Sequence, residues 1–525
     1  MNVSANKIGV RSLVVLGAVT AAVLVVAAGS SAAGGRHAAR ATIIRGGNLV
    51  IDTATPSQDF DVNTTSDNES IWPYDEMAET LYVNGSDGKT LKPWLATSYT
   101  LSKNKLHWTF HLRHGVRFSN GKPMTAKDAA FSIDQALNPK STWSFVDTAI
   151  KNAKATGPYT VVVTTKYPWS PLLADIALFA NAVIPANFGG ETRAQFFQHP
   201  IGTGPFEFSK WVKGQYLKLV RNPYYWQKGK PYLDSVTYQA VADDNTRVVQ
   251  LRGGQADVVE NAPFALLSSL KSQGYRLGLF PSTRIDYVTM NEQQAPFKDI
   301  HVRRAISYAI DRPAIIHSIF FGQGQVASSP FMPKLPFYIS NAGVLPYSLV
   351  KAKAELAKSK YPNGGFSVDF IAGSGDQVQT GVAQVVQNDL KPLGITVNIR
   401  QLDPSEVTTQ EQSFHFGMRE TYWTMDIADP DEYASFTFCG TCGSFANWTH
   451  FDDPTVDKLL KQADTTFDNA KRATIYAQLQ KRVAADAPIV WLGYSPYRYV
   501  YSSKVHGYRV YPEGNAHLEN VWLSK

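Results

Sequence analysis

The stretch F-S-V-D-F-I-A-G-S-G-D-Q-V-Q-T-G-V-A-Q-V-V-Q-N-D-L-K-P-L-G-I-T-V-N-I-R, residues 366–400, decides the class of fold. Phe366 to Ile371 reads as a strand, Val382 to Leu390 has helical spacing, and Ile395 to Arg400 reads as a strand again. Strand, helix and strand in succession predict an α/β lobe. Upstream, Asp299 caps a helix with Val302, Ala305, Ile306 and Ala309 inward, Asp311-Arg312-Pro313 starts another, and Ser348 to Lys360 is amphipathic. Downstream, Asp453-Pro454 caps a helix to Ala463, Asn469 to Ala485 predicts a long one, and Ile489 to Leu492 a final strand.

The N-terminal half gives a second organised region. Strands are expected at Gly47–Thr53, Leu106–Leu112, Tyr159–Thr165, Phe206–Trp211, Tyr216–Arg221 and Val236–Val241, and Asp244 is expected to cap a helix to Leu251. Ile71, Tyr74, Met77, Ala78 and Leu81 share one face if residues 71–82 are helical. After the Asn120-Gly121 turn, Thr125 and Asp128 form the S/T-x-x-D/E start of a helix to about Leu137, which makes a compact α+β unit with the strand before it.

With 525 residues, 44% hydrophobic and 12% aromatic, the chain can bury two or three cores. Its net charge is +7, but Lys7, Arg11, Arg36 and Arg40 precede every acid, and from Ala41 onward the balance is +3. So small and scattered a surplus argues against a nucleic-acid partner. The basic start, the apolar run Leu13–Ala28 and the small residues Gly29-Ser30-Ser31-Ala32-Ala33 have the plan of an export signal cut after Ala32 or Ala33. The uncharged run from Ser12 to Gly35 is long enough to span a bilayer, so residues 1–33 are read as signal peptide or anchor and 34–46 as a flexible leader. Outside the cytoplasm, Cys439 and Cys442 in C-G-T-C are expected to form a local disulfide, with no metal or other cofactor.

The candidate site is T-Y-W-T-M-D-I-A-D-P-D-E-Y, residues 421–433. Asp429-Pro430-Asp431-Glu432 has the chemistry of a helix start: a capping acid, a proline, then acids at the positive end. Asp426 has no such duty, and beside Tyr422 and Trp423 it would suit a ligand's ammonium group, although a solvated loop aspartate beside a core tryptophan has the same sequence. Gly202-Thr203-Gly204 allows close approach of backbone to a ligand or to another segment. No G-x-S-x-G, H-E-x-x-H, complete phosphate loop or G-x-G-x-x-G after a strand is present, which points to binding rather than catalysis.

Six blocks in order carry a resemblance: L-K-P-W-L-A-T-S-Y (91–99), W-T-F-H-L-R-H-G-V-R-F-S-N-G-K-P-M-T-A-K-D-A-A-F-S (108–132), G-T-G-P-F-E-F (202–208), L-V-R-N-P-Y-Y-W (219–226), F-K-D-I-H-V-R-R-A-I-S-Y-A-I-D-R (297–312) and D-A-P-I-V-W-L (486–492). Together they resemble the family 5 extracellular solute-binding proteins of bacterial ABC importers, the group of dipeptide, oligopeptide and nickel receptors. The resemblance implies a two-lobe periplasmic-binding-protein-like α/β fold with a hinge and an extra α+β subdomain at about 88–200 in the first lobe. Residues 47–284 plus 493–525 would form lobe one and 285–492 lobe two, closing on a peptide, with importer permease subunits as partners and a monomeric state.

In peptide-binding members an aspartate in W-x-x-D holds the ligand's α-ammonium, and Trp423-Thr424-Met425-Asp426 matches that motif. Tyr422 and Trp423 would then form apolar wall, and Gly202, Thr203 and Gly204 the cleft edge. Two departures accompany the match. Val26-Ala27-Ala28 is followed by Gly29 where many relatives have a lipidated cysteine, so export to the cell surface, periplasm or exterior without that lipid is implied. Between Ala372 and Asn388 there is no arginine to fix a dipeptide carboxylate, which favours longer peptides or another amine-bearing solute. An oligosaccharide or metal-chelate receptor of the same fold and an extracellular hydrolase are the competing readings.

Overall fold

The computed structural model describes residues 43–442 and 449–525, which form one compact unit. The expected signal and most of the leader lie outside the described residues. Among the described residues no helix is long and apolar enough to cross a membrane.

Two mixed sheets organise the molecule. One has seven strands in the spatial order Arg276–Phe280, Tyr497–Tyr501, Val258–Glu260, Asn48–Thr53, Ser235–Ala240, Tyr216–Arg221 and Phe206–Val212. The other has six, in the order Gln325–Val326, Ile489–Tyr494, Arg284–Met290, Met418–Thr424, Phe366–Gly373 and Ile395–Leu402. The deciding stretch folds as its pattern predicts. Phe366 pairs with Ile395 through to Gly373 with Leu402 in parallel, and the helix Gln377–Leu390 crosses between them. That helix starts five residues before the apolar run does because Asp376 caps it, accepting from the backbone N–H of Gln379 at 2.9 Å.

A smaller antiparallel sheet, Ala96–Leu101, His107–Leu112, Thr160–Thr165 and Ile150–Gly157, packs against the helix Ala126–Ala136. Thr125 and Asp128 close the expected capping box, with Thr125 N–H donating to Asp128 at 2.7 Å. The last expected strand is not the last. Ile489–Tyr494 belongs to the six-stranded sheet, and Tyr497–Tyr501 then enters the interior of the seven-stranded one, between Arg276–Phe280 and Val258–Glu260.

The expected helix over residues 71–82 is corrected. The helix is Asn68–Asp75, and Tyr82–Asn84 is a strand. Pro73 cannot donate to the carbonyl of Glu69, which instead accepts the Ser57 hydroxyl at 2.6 Å, and the helix ends two residues later. Residues 76–81 therefore run as buried, irregular backbone.

Candidate ligand site

Asp426 lies two residues beyond the strand Met418–Thr424, on a loop stitched from both sides. Glu432 reaches back from the helix Asp431–Phe438, its Oε2 accepting the backbone N–H groups of Asp426 and Ile427 at 3.0 and 3.2 Å. Its Oε1 accepts the Trp423 indole N–H at 3.2 Å. Asn84, on the strand Tyr82–Asn84, donates to the Asp426 carbonyl at 2.6 Å and accepts from Ala428 N–H at 3.0 Å. These bonds fix where the Asp426 carboxylate points.

It points into a cavity of about 70 Å³, lined among others by Asp75, Glu76, Glu79, Glu513, Glu519 and His517. Burial, with the charge of Glu513, pushes the Asp426 carboxyl up to about 8. Burial and Asp426 hold Asp75 well above the usual carboxylate range, and burial with Glu519 lifts Glu76 to about 8. Glu79 rises to about 7 through burial, though it accepts from Trp94, Thr203, Tyr225 and Trp226. Burial works against the charge on His517, but Glu513 and Glu519 overcome it and lift the imidazole to about 9. A basin so rich in carboxylates favours a cation, and an ammonium group fits it in both charge and size.

Trp72, Trp94, Phe179 and Tyr225 are the aromatic side chains that line this basin, and a further aromatic cluster continues from Phe179. Trp423 stacks on Phe436 with ring centroids 4.3 Å apart, and Trp143 lies 6.5 Å from Trp423 and 4.8 Å from Phe179. Phe145 adjoins Phe436 at 5.4 Å and opens onto a second cavity of about 740 Å³, lined also by Tyr167, Trp169, Asp457, Lys461 and Asp464. The second space is of ligand size, whereas the first is about a tenth of its volume.

The sequence-chosen residues divide. Asp426 lines the basin, whereas Trp423 lines neither cavity: it stacks on Phe436 and gives its indole N–H to Glu432. Tyr422 points to the opposite face of its strand, 40% exposed, with the Arg284 guanidinium 3.5 Å from its ring centroid. Gly202, Thr203 and Gly204 do not line either cavity. They lie against the backbone of residues 76–78, with Gly204 N–H donating to the Met77 carbonyl at 2.9 Å, while the Thr203 hydroxyl donates to Glu79 at 2.9 Å. A β-carbon on Gly202 would sit 2.1 Å from the Met77 carbonyl oxygen. Gly202→Ala is accordingly expected to cost about 1–3 kcal/mol in urea unfolding, and an unchanged midpoint would show that the two backbones part freely.

Asp429 also does more than cap. It accepts Asp431 N–H at 3.0 Å and binds Arg472 through both oxygens at 2.7 and 3.0 Å, all of it buried. Glu432, expected to serve the helix end, serves the Asp426 loop instead. Cys439 and Cys442 are joined in a disulfide just beyond the helix Asp431–Phe438. Sequence reading missed Asn84, Asp75, Glu513 and His517. The run Pro73-Tyr74-Asp75-Glu76-Met77-Ala78-Glu79 and the E-x-x-x-H-x-E of residues 513–519 were the available signals.

Comparison with known proteins agrees with this architecture. The family profile described as bacterial extracellular solute-binding proteins, family 5 Middle, matches residues 90–445. The glutathione-binding protein GsiB of Escherichia coli O6:K15:H31 is 30% identical over 444 residues, 82% of this chain and 86% of its own. The Helicobacter pylori periplasmic binding protein DppA, solved with the peptide STSA, superposes with a TM-score of 0.83 at 26% identity over 92% of this chain and 99% of that one. The Bacillus subtilis oligopeptide-binding protein AppA, solved with a nonapeptide, gives 0.83 and 26% over 92% and 100%. Two sheets joined around an acid-bearing W-x-x-D loop, together with a profile match across most of the chain, settle its kinship: it belongs to the bacterial extracellular solute-binding proteins, family 5.

Proposed function

We propose that this protein is the extracellular receptor of an ABC importer and captures peptides, oligopeptides in preference to dipeptides, between two lobes before passing them to the membrane permease. The carrying observation is the Asp426 carboxylate, on a loop fixed by Glu432 and Asn84 and lining a basin rich in carboxylates. The ligand's α-ammonium would enter the basin, and its side chains would meet Trp423 and the larger cavity beyond. Lobe one would comprise residues 47–284 and 493–525, lobe two residues 285–492, and the extra subdomain about 88–200. The Asn84 bonds to Asp426 and Ala428 would then span the lobes, a contact made on closing. The relatives named for glutathione and solved with a tetrapeptide or nonapeptide support this class of ligand. The receptor is taken as a monomer that works outside the cytoplasm and itself catalyses nothing.

Native mass spectrometry of protein purified from its own host tests the reading. A set of co-purified peptide masses is expected, resolved by fragmentation. A bound sugar or metal chelate would overturn the peptide assignment, and conversion of an added peptide or glycan to product would overturn the pure receptor account.

A further inference from the structure

The acids of the Asp426 basin outnumber what one ammonium group needs. Glu79 is satisfied by four donors, and His517, the basic side chain lining the basin, stands 3.9 Å from Glu513 and 4.0 Å from Glu519. Among the described residues Asp426 forms no ion pair, and Asp75 shares the charge of the same His517 with Glu513 and Glu519, its side chain receiving one long bond, 3.3 Å, from the Asn515 amide. Once an α-ammonium has met Asp426, Asp75 and the surplus of the Glu513–Glu519 pair over His517 remain. A second observation is independent of the acids. Tyr497 is 4% exposed and its hydroxyl has no hydrogen-bond partner, yet Asp426 and Glu513 are near enough for their charges to bear on it. Glu513 Oε2 is likewise buried without a partner. Unfilled buried polar atoms beside uncompensated carboxylates mark a place that a polar, cationic group completes.

We propose that the basin takes a second positive charge: the preferred ligand is a peptide whose first residue carries a cationic side chain as well as its α-ammonium, with Asp75 and Glu513 receiving that side chain. This rests on the peptide-receptor reading above. The shared chemistry is a pair of cationic nitrogens a few bonds apart, which a free diamine also offers.

Isothermal titration of the full-length protein with Lys-Ala-Ala, norleucine-Ala-Ala and cadaverine separates these sources. Lysine and norleucine differ at the chain end chiefly in charge, so the lysine peptide is expected to bind about tenfold or more tighter. Asp75→Asn should bring that ratio towards one. Should this variant fail to fold, Glu513→Gln is read the same way. Equal affinities for the two peptides in the unmodified protein, or a ratio untouched by either substitution, would overturn the second charge and leave the peptide receptor standing. Binding of cadaverine alone would keep the second charge and overturn the peptide reading. Binding of none of the three would overturn both.

Discussion

Arg472→Met is expected to lower the stability of the protein by about 3–5 kcal/mol, the range for removing one partner of a buried ion pair. Arg472 is 4% exposed and donates twice to Asp429, with Asp431, Asp464 and Asp175 close by and buried as well. Arg472 is also the cation, among the described residues, that bears on Asp431, whose carboxyl burial and the charge of Asp429 push up to about 7. Burial and Asp431 raise both Asp175 and Asp464 well above their ordinary range. The sign of the pH dependence follows. A carboxyl whose folded value is raised holds its proton in the folded state after the unfolded chain has released it, near pH 4. Its stabilising contribution is complete below that value and is lost as pH rises, for Asp431 up to about 7. Without Arg472 the acids repel one another more strongly, so the deficit should be larger at pH 8 than at pH 5. Urea unfolding of both proteins at the two pH values reads this directly. A loss under about 1 kcal/mol, or one indifferent to pH, would show that water reaches these acids.

Asp426→Asn should weaken binding of a free-amine peptide by roughly tenfold to hundredfold, the worth of one charge-assisted hydrogen bond. The same peptide with an acetylated N-terminus should lose far less. Equal losses would remove Asp426 from the anchor role. Burial and the charge of Glu513 hold the Asp426 carboxyl up at about 8, so an ammonium that pairs with its carboxylate at neutral pH is expected to displace a proton. Affinity should therefore rise with pH towards 8 and fall again as the peptide's own amine, near 7.7–8.0, loses its charge. In the Asn variant the rising limb should vanish while the falling one stays.

The sequence disclosed the α/β class because strands and helices of the six-stranded sheet keep their periods with little interruption, as in residues 366–400. It singled out Asp426 as a candidate because the acid stands in a W-x-x-D motif. The basin stayed hidden for a physical reason. The expected helix from Ile71 to Tyr82 marked only the apolar residues for burial, whereas the helix ends at Asp75 and the buried, irregular backbone after it carries Glu76 and Glu79 to the basin beside Asp75. Glu513 and His517 meet the basin only through a long-range return of the chain, which no local pattern encodes. Gly202 and Gly204 were open to two readings, ligand or backbone approach, and the contact with residues 76–78 is the second. Glu432 was legible as an acid at a helix start, but its reach to Asp426 depends on how the loop folds back.

The place of Tyr497–Tyr501 in the seven-stranded sheet bears on how the protein comes into being. That strand fills a gap between two neighbours made more than two hundred residues earlier, so the sheet stays split until almost the whole of the 525-residue chain exists. At roughly 5–20 residues per second a ribosome spends on the order of a minute on such a chain. From the synthesis of Arg276–Phe280 until Tyr497–Tyr501 is made, the largest sheet lacks the strand that joins Val258–Glu260 to Arg276–Phe280. Completion of that sheet thus waits for Tyr497–Tyr501 and cannot be built up from the preceding strands alone.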